Sequence, residues 1–303
     1  MRRGAVTTNP RYVTGALFGF AAVAIWAGWS AVTRLAVTTH LDAWDIATLR
    51  FGVAGLILLP VLVKRGLALD RLGWFGLAML IAGGGVPYVL LAAGGLRFAP
   101  AHDQGALNPG FMPLFVALIA AFVLREKLLT ANKIGLALIL TGALVIVGWY
   151  ALTPGTRTIG HAMFLSAALL WAGFTIVMRR ADLDPLHATA IVSTASAILY
   201  LPLYFVLQGN RLLEMPVAEL VLQTVFQGIL VTIVSLILYG RAVAILGASG
   251  GAAFGALVPA LSALFAIPLL DEWPIASDGA GIVLVSIGVY LASGGPLPRS
   301  ARQ

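Results

Sequence analysis

Two stretches decide the fold: Gly15–Ala36, GALFGFAAVAIWAGWSAVTRLA, and Gly160–Ala181, GHAMFLSAALLWAGFTIVMRRA. They align without a gap at a shift of 145 residues. Gly15 falls on Gly160, Trp26-Ala27-Gly28 on Trp171-Ala172-Gly173, Ser30 on Thr175 and Arg34 on Arg179. Farther along, a shift of 146 puts Pro113 on Pro259, Glu126 on Glu272, Gly135 on Gly281 and Gly142 on Gly288. One inserted residue between the two blocks accounts for the changed offset. Ordered matches of Trp, Gly, Pro and Glu are far more specific than matches of Leu, so the chain is read as an internal duplication. The two copies are expected at residues 1–152 and 153–303.

Working outward, both stretches are long enough to cross a bilayer, which takes about 20 mostly apolar residues. The same holds along the chain. Apolar runs between charges and turn residues fall near 14–34, 45–63, 73–95, 98–123, 130–151, 159–179, 187–208, 217–240, 245–270 and 276–294. Runs such as Ile134–Val147 do not alternate in polarity, as a barrel strand would, and they read as helix. An all-α integral membrane fold of ten helices is predicted. Five helices per copy is an odd number, so the second copy enters the membrane inverted.

Composition agrees. Of 303 residues 60 % are hydrophobic, the mean hydropathy is +0.98, and Lys and Arg number 19 against 12 Asp and Glu. Soluble domains carry about 45–50 % apolar and about 25 % charged residues. The absence of cysteine rules out a disulfide scaffold. A net charge of +7 does not indicate nucleic acid, because the basic residues are scattered between apolar runs. Their sidedness is informative instead. With the N-terminus inside, Arg2, Arg3, Arg11, Lys64, Arg65, Arg71, Arg125, Lys127, Lys133, Arg179, Arg180, Arg241, Arg299 and Arg302 lie on the inner side. The outer side holds Arg34, Arg97, Arg157 and Arg211, and Arg50 falls inside a span. This places both termini in the cytoplasm. Met1-Arg2-Arg3 reads as an anchor for the first helix rather than as part of a cleaved signal.

The chain resembles the drug/metabolite transporter superfamily, specifically its EamA-type members with ten spans. The residues that carry this are Trp26-Ala27-Gly28, Arg34, Arg50-Phe51, Pro113, Arg125-Glu126-Lys127, Gly135 and Gly142 in the first copy. The second copy carries Trp171-Ala172-Gly173, Pro259, Asp271-Glu272, Gly281 and Gly288. Nothing in the seventh span matches Arg50. The resemblance implies a basket of helices around a central cavity, with spans one to four and six to nine lining or gating it and spans five and ten buttressing it. It also implies export of amino acids, other small metabolites or drugs across the bacterial inner membrane. An inverted repeat suits that task, because two related halves exchange roles as access alternates.

Polar groups at membrane depth mark cavities or helix contacts. The densest cluster is His102-Asp103-Gln104 with Asn108, whereas the second copy reads Ala248-Ser249-Gly250 there. His102 and Asp103 can bind an ammonium group or exchange protons, or they can lie solvated at the outer interface. Gln104 and Asn108 share a helical face. Gln223, Gln227, Thr232 and Ser235 run along the eighth span; Gln227 and Thr232 are cavity candidates, and helix–helix bonding is the other use of such residues. Trp26, Trp171 and Tyr88 are candidates for an aromatic wall. Tyr88 follows Gly83-Gly84-Gly85 and Pro87, a sequence suited to a break in the helix. Arg50 can take a substrate carboxylate, but a structural ion pair with Asp45 or Asp103 is favoured. Glu126, Glu272, Pro113 and Pro259 are read as gating or structural, and His161 and His187 as interfacial.

No phosphate loop or HExxH motif is present, and neither an enzyme nor a cofactor or metal is expected. The partners expected are a small-molecule substrate, the lipid bilayer and, as a candidate coupling ion, the proton. The leading reading is a secondary transporter exporting amino acids or related metabolites. Efflux of amphipathic cationic drugs is the alternative, and an intramembrane enzyme ranks below both.

Overall fold

A computed structural model describes residues 10–123, 125, 129–152 and 155–294. Its regular structure among these residues is entirely helical. Among the described residues nine helical segments are long and apolar enough to cross a membrane: Arg11–Thr38, Ala43–Arg65, Leu69–Gly95, Ala101–Phe122, Thr130–Gly148, Arg157–Arg180, Pro185–Gln208, Val217–Gly247 and Gly250–Leu270. A shorter apolar helix, Ala276–Ala292, takes the tenth place expected from the sequence. The protein is a multi-pass, all-α membrane protein. The spans are numbered one to ten in this order. The end of the bundle where span one finishes and span two begins is called the far end; the described chain starts and finishes at the other.

Local chemistry sets the helix ends. Asp42 caps span two by accepting from the backbone N–H of Trp44 at 2.8 Å and of Asp45 at 3.0 Å, and the Asp45 carboxylate returns to the Asp42 N–H at 2.8 Å. Asp184 caps span seven, with Pro185 in the first helical position. Gly247, with φ of 81°, makes the turn that separates spans eight and nine.

Several spans are not continuous helices. Span three is Leu69–Gly84 followed by Val86–Gly95, and the break falls at Gly85, just before Pro87. Span four is Ala101–Leu107 followed by Met112–Val123, interrupted by the turn at Asn108–Phe111. Span eight contains a π-helical stretch, Thr224–Val234. Broken helices at membrane depth persist only where protein or a cavity surrounds them.

The packing repeats the duplication in space. Span five lies along span ten, span two along span seven, and the first half of span four along span nine. Span one packs on Ser235–Gly255, and span three on span six. Exchanging the two copies turns each of the first three pairings into itself and swaps the last two. The tightest case is spans five and ten. A Cβ on Gly135 would lie 2.6 Å from the Gly288 carbonyl, and one on Gly288 would lie 2.7 Å from the Gly135 carbonyl. Gly142 and Gly281 stand in the same relation, each placing a Cβ 2.7 Å from the other's carbonyl. These four glycines are the duplicated ones, paired first with last, so the two spans run antiparallel. Close backbone approach through small residues supplies the packing energy in lipid, where no hydrophobic drive joins helices.

Candidate functional site

The sequence-derived candidates separate into two groups: those in ionic and amide networks that tie spans together, and those around Arg50 and Tyr88.

The largest bonded group is at the far end, where spans four, six and ten meet. Asp103 is fully buried and accepts two hydrogen bonds from the Arg157 guanidinium, at 2.6 and 2.7 Å. His161 Nε2 lies 2.7 Å from the same carboxylate. Arg157 also reaches Asp278 at 3.1 Å, and His102 Nε2 lies 3.3 Å from Asp278. Tyr150 lies under the guanidinium, 3.7 Å from its carbon to the ring centre. His102, Asp103 and Asp278 offer ligand atoms within 4.8 Å of one another, but Arg157 already supplies the cation that the two carboxylates share. His161 is buried rather than interfacial, because its ring turns inward to Asp103; His187 is buried as well, against the Gly66 carbonyl at 2.9 Å.

Ion pairs tie other spans at the same end. The Arg34 guanidinium binds Glu272 and the backbone carbonyls of Leu96 and Ala99, and the Ala101 N–H donates to Glu272 at 2.8 Å. Arg211 pairs with Asp42 at 2.7 Å and approaches Asp45 at 3.5 Å, while the Tyr204 hydroxyl donates to Asp45. His40 meets Glu219 at 2.8 Å. Glu126, the repeat mate of Glu272, lies outside the described residues. Pro259 opens the first turn of the helix Val258–Leu270 and is buried, and Pro113 takes the second position of Met112–Val123.

A neutral network joins spans one, four, eight and nine. Trp29 Nε1 donates to Gln227 at 2.7 Å, and the Gln227 amide donates to Thr33 at 2.9 Å and to Gln223 at 3.1 Å. Ser30 donates to Gln104 and lies 3.4 Å from Ser262. Trp26 donates to Ser235 at 2.8 Å and packs against Tyr239. The Thr232 hydroxyl donates to the Gln227 carbonyl five residues back, as π-helical geometry allows. Gln104, Gln227 and Trp26 therefore bond across helices, the common use of polar side chains in membranes, whereas Thr232 bonds within its own span.

Arg50, Tyr88, Asn108 and Trp171 form the second group. The ion pair expected for Arg50 is not formed: Asp45 is held by Tyr204 and Arg211, and Asp103 by Arg157 and His161. Arg50 Nε is buried without a hydrogen-bond partner, and the guanidinium carbon lies 5.7 Å from the Phe51 ring centre. Asn108 is fully buried; its amide donates to the Tyr88 oxygen at 3.3 Å, and its Oδ1 has no partner. Tyr88 packs on Trp171 with ring centres 5.1 Å apart, and Trp171 packs on Phe174 at 5.0 Å.

Backbone breaks position this group. Tyr88 follows the Gly85 break and Asn108 ends the short helix Ala101–Leu107. Arg50 is seven residues past Ala43, Tyr88 seven before Gly95 and Asn108 seven past Ala101, which is about 10 Å of helix in each case. Three polar groups thus reach one depth from three spans. The sequence pointed to each singly but not to their convergence. It also missed the roles of Arg157, Asp278, Tyr204 and Thr33, which stand alone among apolar neighbours or at loop edges, where position does not reveal direction.

The sequence profile of the EamA-like transporter family matches residues 13–148 and again residues 158–294. An uncharacterized transporter of Clostridium kluyveri is 24 % identical over 272 residues, covering 84 % of this chain and 84 % of that protein. A riboflavin transporter of Brucella anthropi is 29 % identical over 163 residues, which is 52 % of this chain and 55 % of that protein. A crystal structure whose chain is 21 % identical superposes with a TM-score of 0.61 over 92 % of this chain and 95 % of the other, so the fold is shared.

Proposed function

The chain belongs to the EamA-like transporter family, and from that premise we propose that it exports amino acids or related small metabolites across the bacterial inner membrane by alternating access. That it is a membrane transporter of small molecules follows from the family and from relatives of that description. The direction, the membrane and the substrate class are our reading. The observation that carries it is a pair of buried atoms without partners, Arg50 Nε and Asn108 Oδ1, at one depth with Tyr88, where Asn108 and Tyr88 sit on interrupted spans. Sites at the interface of inverted repeats, built on interrupted helices, are the recurrent arrangement of secondary transporters. The basic residues support a cytoplasmic position for both termini, so that the far end faces outward.

In this reading the far-end cluster couples transport to protons. Its ionisable groups are Asp103, Asp278, His102 and His161, facing Arg157 from span six and Tyr150 from span five. Protonation of the carboxylates weakens their hold on Arg157, which loosens spans four, six and ten from one another.

Counterflow in liposomes tests the proposal. The purified protein is reconstituted with a panel of labelled amino acids, to which riboflavin is added because one relative transports it. Saturable exchange of an amino-acid class, accelerated by a pH gradient, is the expected result. Exchange of riboflavin alone would replace the substrate class, and a rate indifferent to the gradient would remove the coupling.

A further inference from the structure

A charged side chain near the centre of a membrane helix is costly to insert, and such groups pair with one another or line a pathway. The carboxylates within reach of this rule are engaged. Asp45 has Tyr204 and Arg211, Asp103 has Arg157 and His161, Asp278 has Arg157 and His102, and Glu272 has Arg34. Arg50 has none of them. The half-buried Arg50 has no carboxylate and its buried Nε has no acceptor, while Asn108 Oδ1 is buried without a donor, and buried polar groups are rarely left so. The missing piece has a definite chemistry. Two parallel N–H groups of a guanidinium match the two oxygens of a carboxylate. The Tyr88 hydroxyl accepts from the Asn108 amide, and Trp171 and Phe174 continue from Tyr88 as a run of tilted rings that offers an aromatic wall to an apolar body.

We propose that Arg50 anchors the carboxylate of the transported compound, and that the substrate class is a small aromatic carboxylate. This rests on the transport reading above and narrows it. Asn108 Oδ1 is the acceptor for an amine where the compound has one, as in an aromatic amino acid, and an acid without an amine meets the same anchor. Amphipathic cations are disfavoured, because the one uncompensated charge of the site has their own sign.

The test uses binding as well as transport. Thermal stabilisation of the purified full-length protein is measured with 3-phenylpropanoate, phenylalanine, phenylalaninamide and phenethylamine. The two carboxylates are expected to bind at least tenfold more tightly than the amide and the amine. Phenylalanine outranking 3-phenylpropanoate assigns the amine to Asn108, and the reverse order assigns the class to simple acids; both keep the anchor. In Arg50→Gln the preference for acid over amide is expected to fall to about twofold or less, and in Arg50→Lys to lie between. Equal binding of acid and amide by the wild type overturns the proposal, as does an acid preference that survives in Arg50→Gln or a failure of both acids to bind. The wild-type comparison holds even where a variant does not fold. Counterflow separates the two readings. An amide carried as fast as the acid overturns the anchor and leaves transport standing; acid-selective binding without any counterflow overturns transport and leaves the anchor.

Discussion

At the scale of single residues, the contrast is between Asp103 and Arg50. Both are charges at membrane depth; one is saturated by partners and the other has none. Asp103 accepts a two-pronged guanidinium and lies against a histidine, so its charge is neutralised locally and its role is to hold spans four and six together. Removing one partner of a buried ion pair costs about 3–5 kcal/mol, because the other charge is stranded. Asp103→Asn is therefore expected to lower the melting temperature sharply in detergent. The double variant Asp103→Asn with Arg157→Gln is expected to lose less than the two single variants added together, since either change already breaks the bond between them, although Asp278 then keeps only His102. Two losses that simply add would show that the pair is not coupled. The sequence made Asp103 visible through the density of polar residues around it. It did not reveal Arg157, which counts equally well as a loop cation, nor the lack of a partner for Arg50. Pairing is a property of side-chain direction across spans, and hydropathy carries no information on that.

At the scale of elements, the same glycine performs opposite services in one helix. Gly142 in span five touches the Gly281 carbonyl through the space a methyl group would need, whereas Gly148, six residues on, has nothing within 4 Å of a Cβ. Gly142→Ala is expected to push spans five and ten apart and to destabilise by about 1–3 kcal/mol, the usual cost of overpacking. Gly148→Ala is expected to stabilise by about 0.5–1 kcal/mol, because a helix interior favours Ala over Gly. Thermal denaturation of the two purified variants checks the sign of each shift; a neutral Gly142→Ala would mean that the contact is not close. Duplication of Gly135 and Gly142 as Gly281 and Gly288 made this seam legible from sequence alone. The break at Gly85 was equally open to reading from the Gly and Pro run before Tyr88. The π-helical stretch Thr224–Val234 was not, because Gln227 and Thr232 fit an α-helical stripe as well as a π-helical one until the bond between the Thr232 hydroxyl and the Gln227 carbonyl is seen.

At the scale of the molecule, the ion pairs describe one state of the carrier. At the far end they cross the repeats several times: Arg34 with Glu272 joins spans one and nine, Arg157 joins span six to four and ten, and Arg211 reaches back to the start of span two. The far end is tied shut in this arrangement, and alternating access requires that it open. The two-fold pairing assigns different duties to different contacts. Spans five and ten meet through backbone and have no room to slide, so they serve as the fixed buttress; spans one and nine meet through side chains that can separate. Because the chain has no cysteine of its own, pairs of introduced thiols report on this without background. A short bifunctional thiol reagent joining Arg34→Cys to Glu272→Cys is expected to stop counterflow, with recovery when the link is cleaved. The same reagent joining Asn132→Cys to Ala292→Cys, where spans five and ten meet through a 2.8 Å hydrogen bond, is expected to leave counterflow within about twofold of the unlinked protein. Turnover that survives complete linkage at the far end would show that substrate leaves by a route that does not part spans one and nine. Loss of turnover from the second link would move the motion into the five–ten seam, where the glycine contacts make it hardest to accommodate.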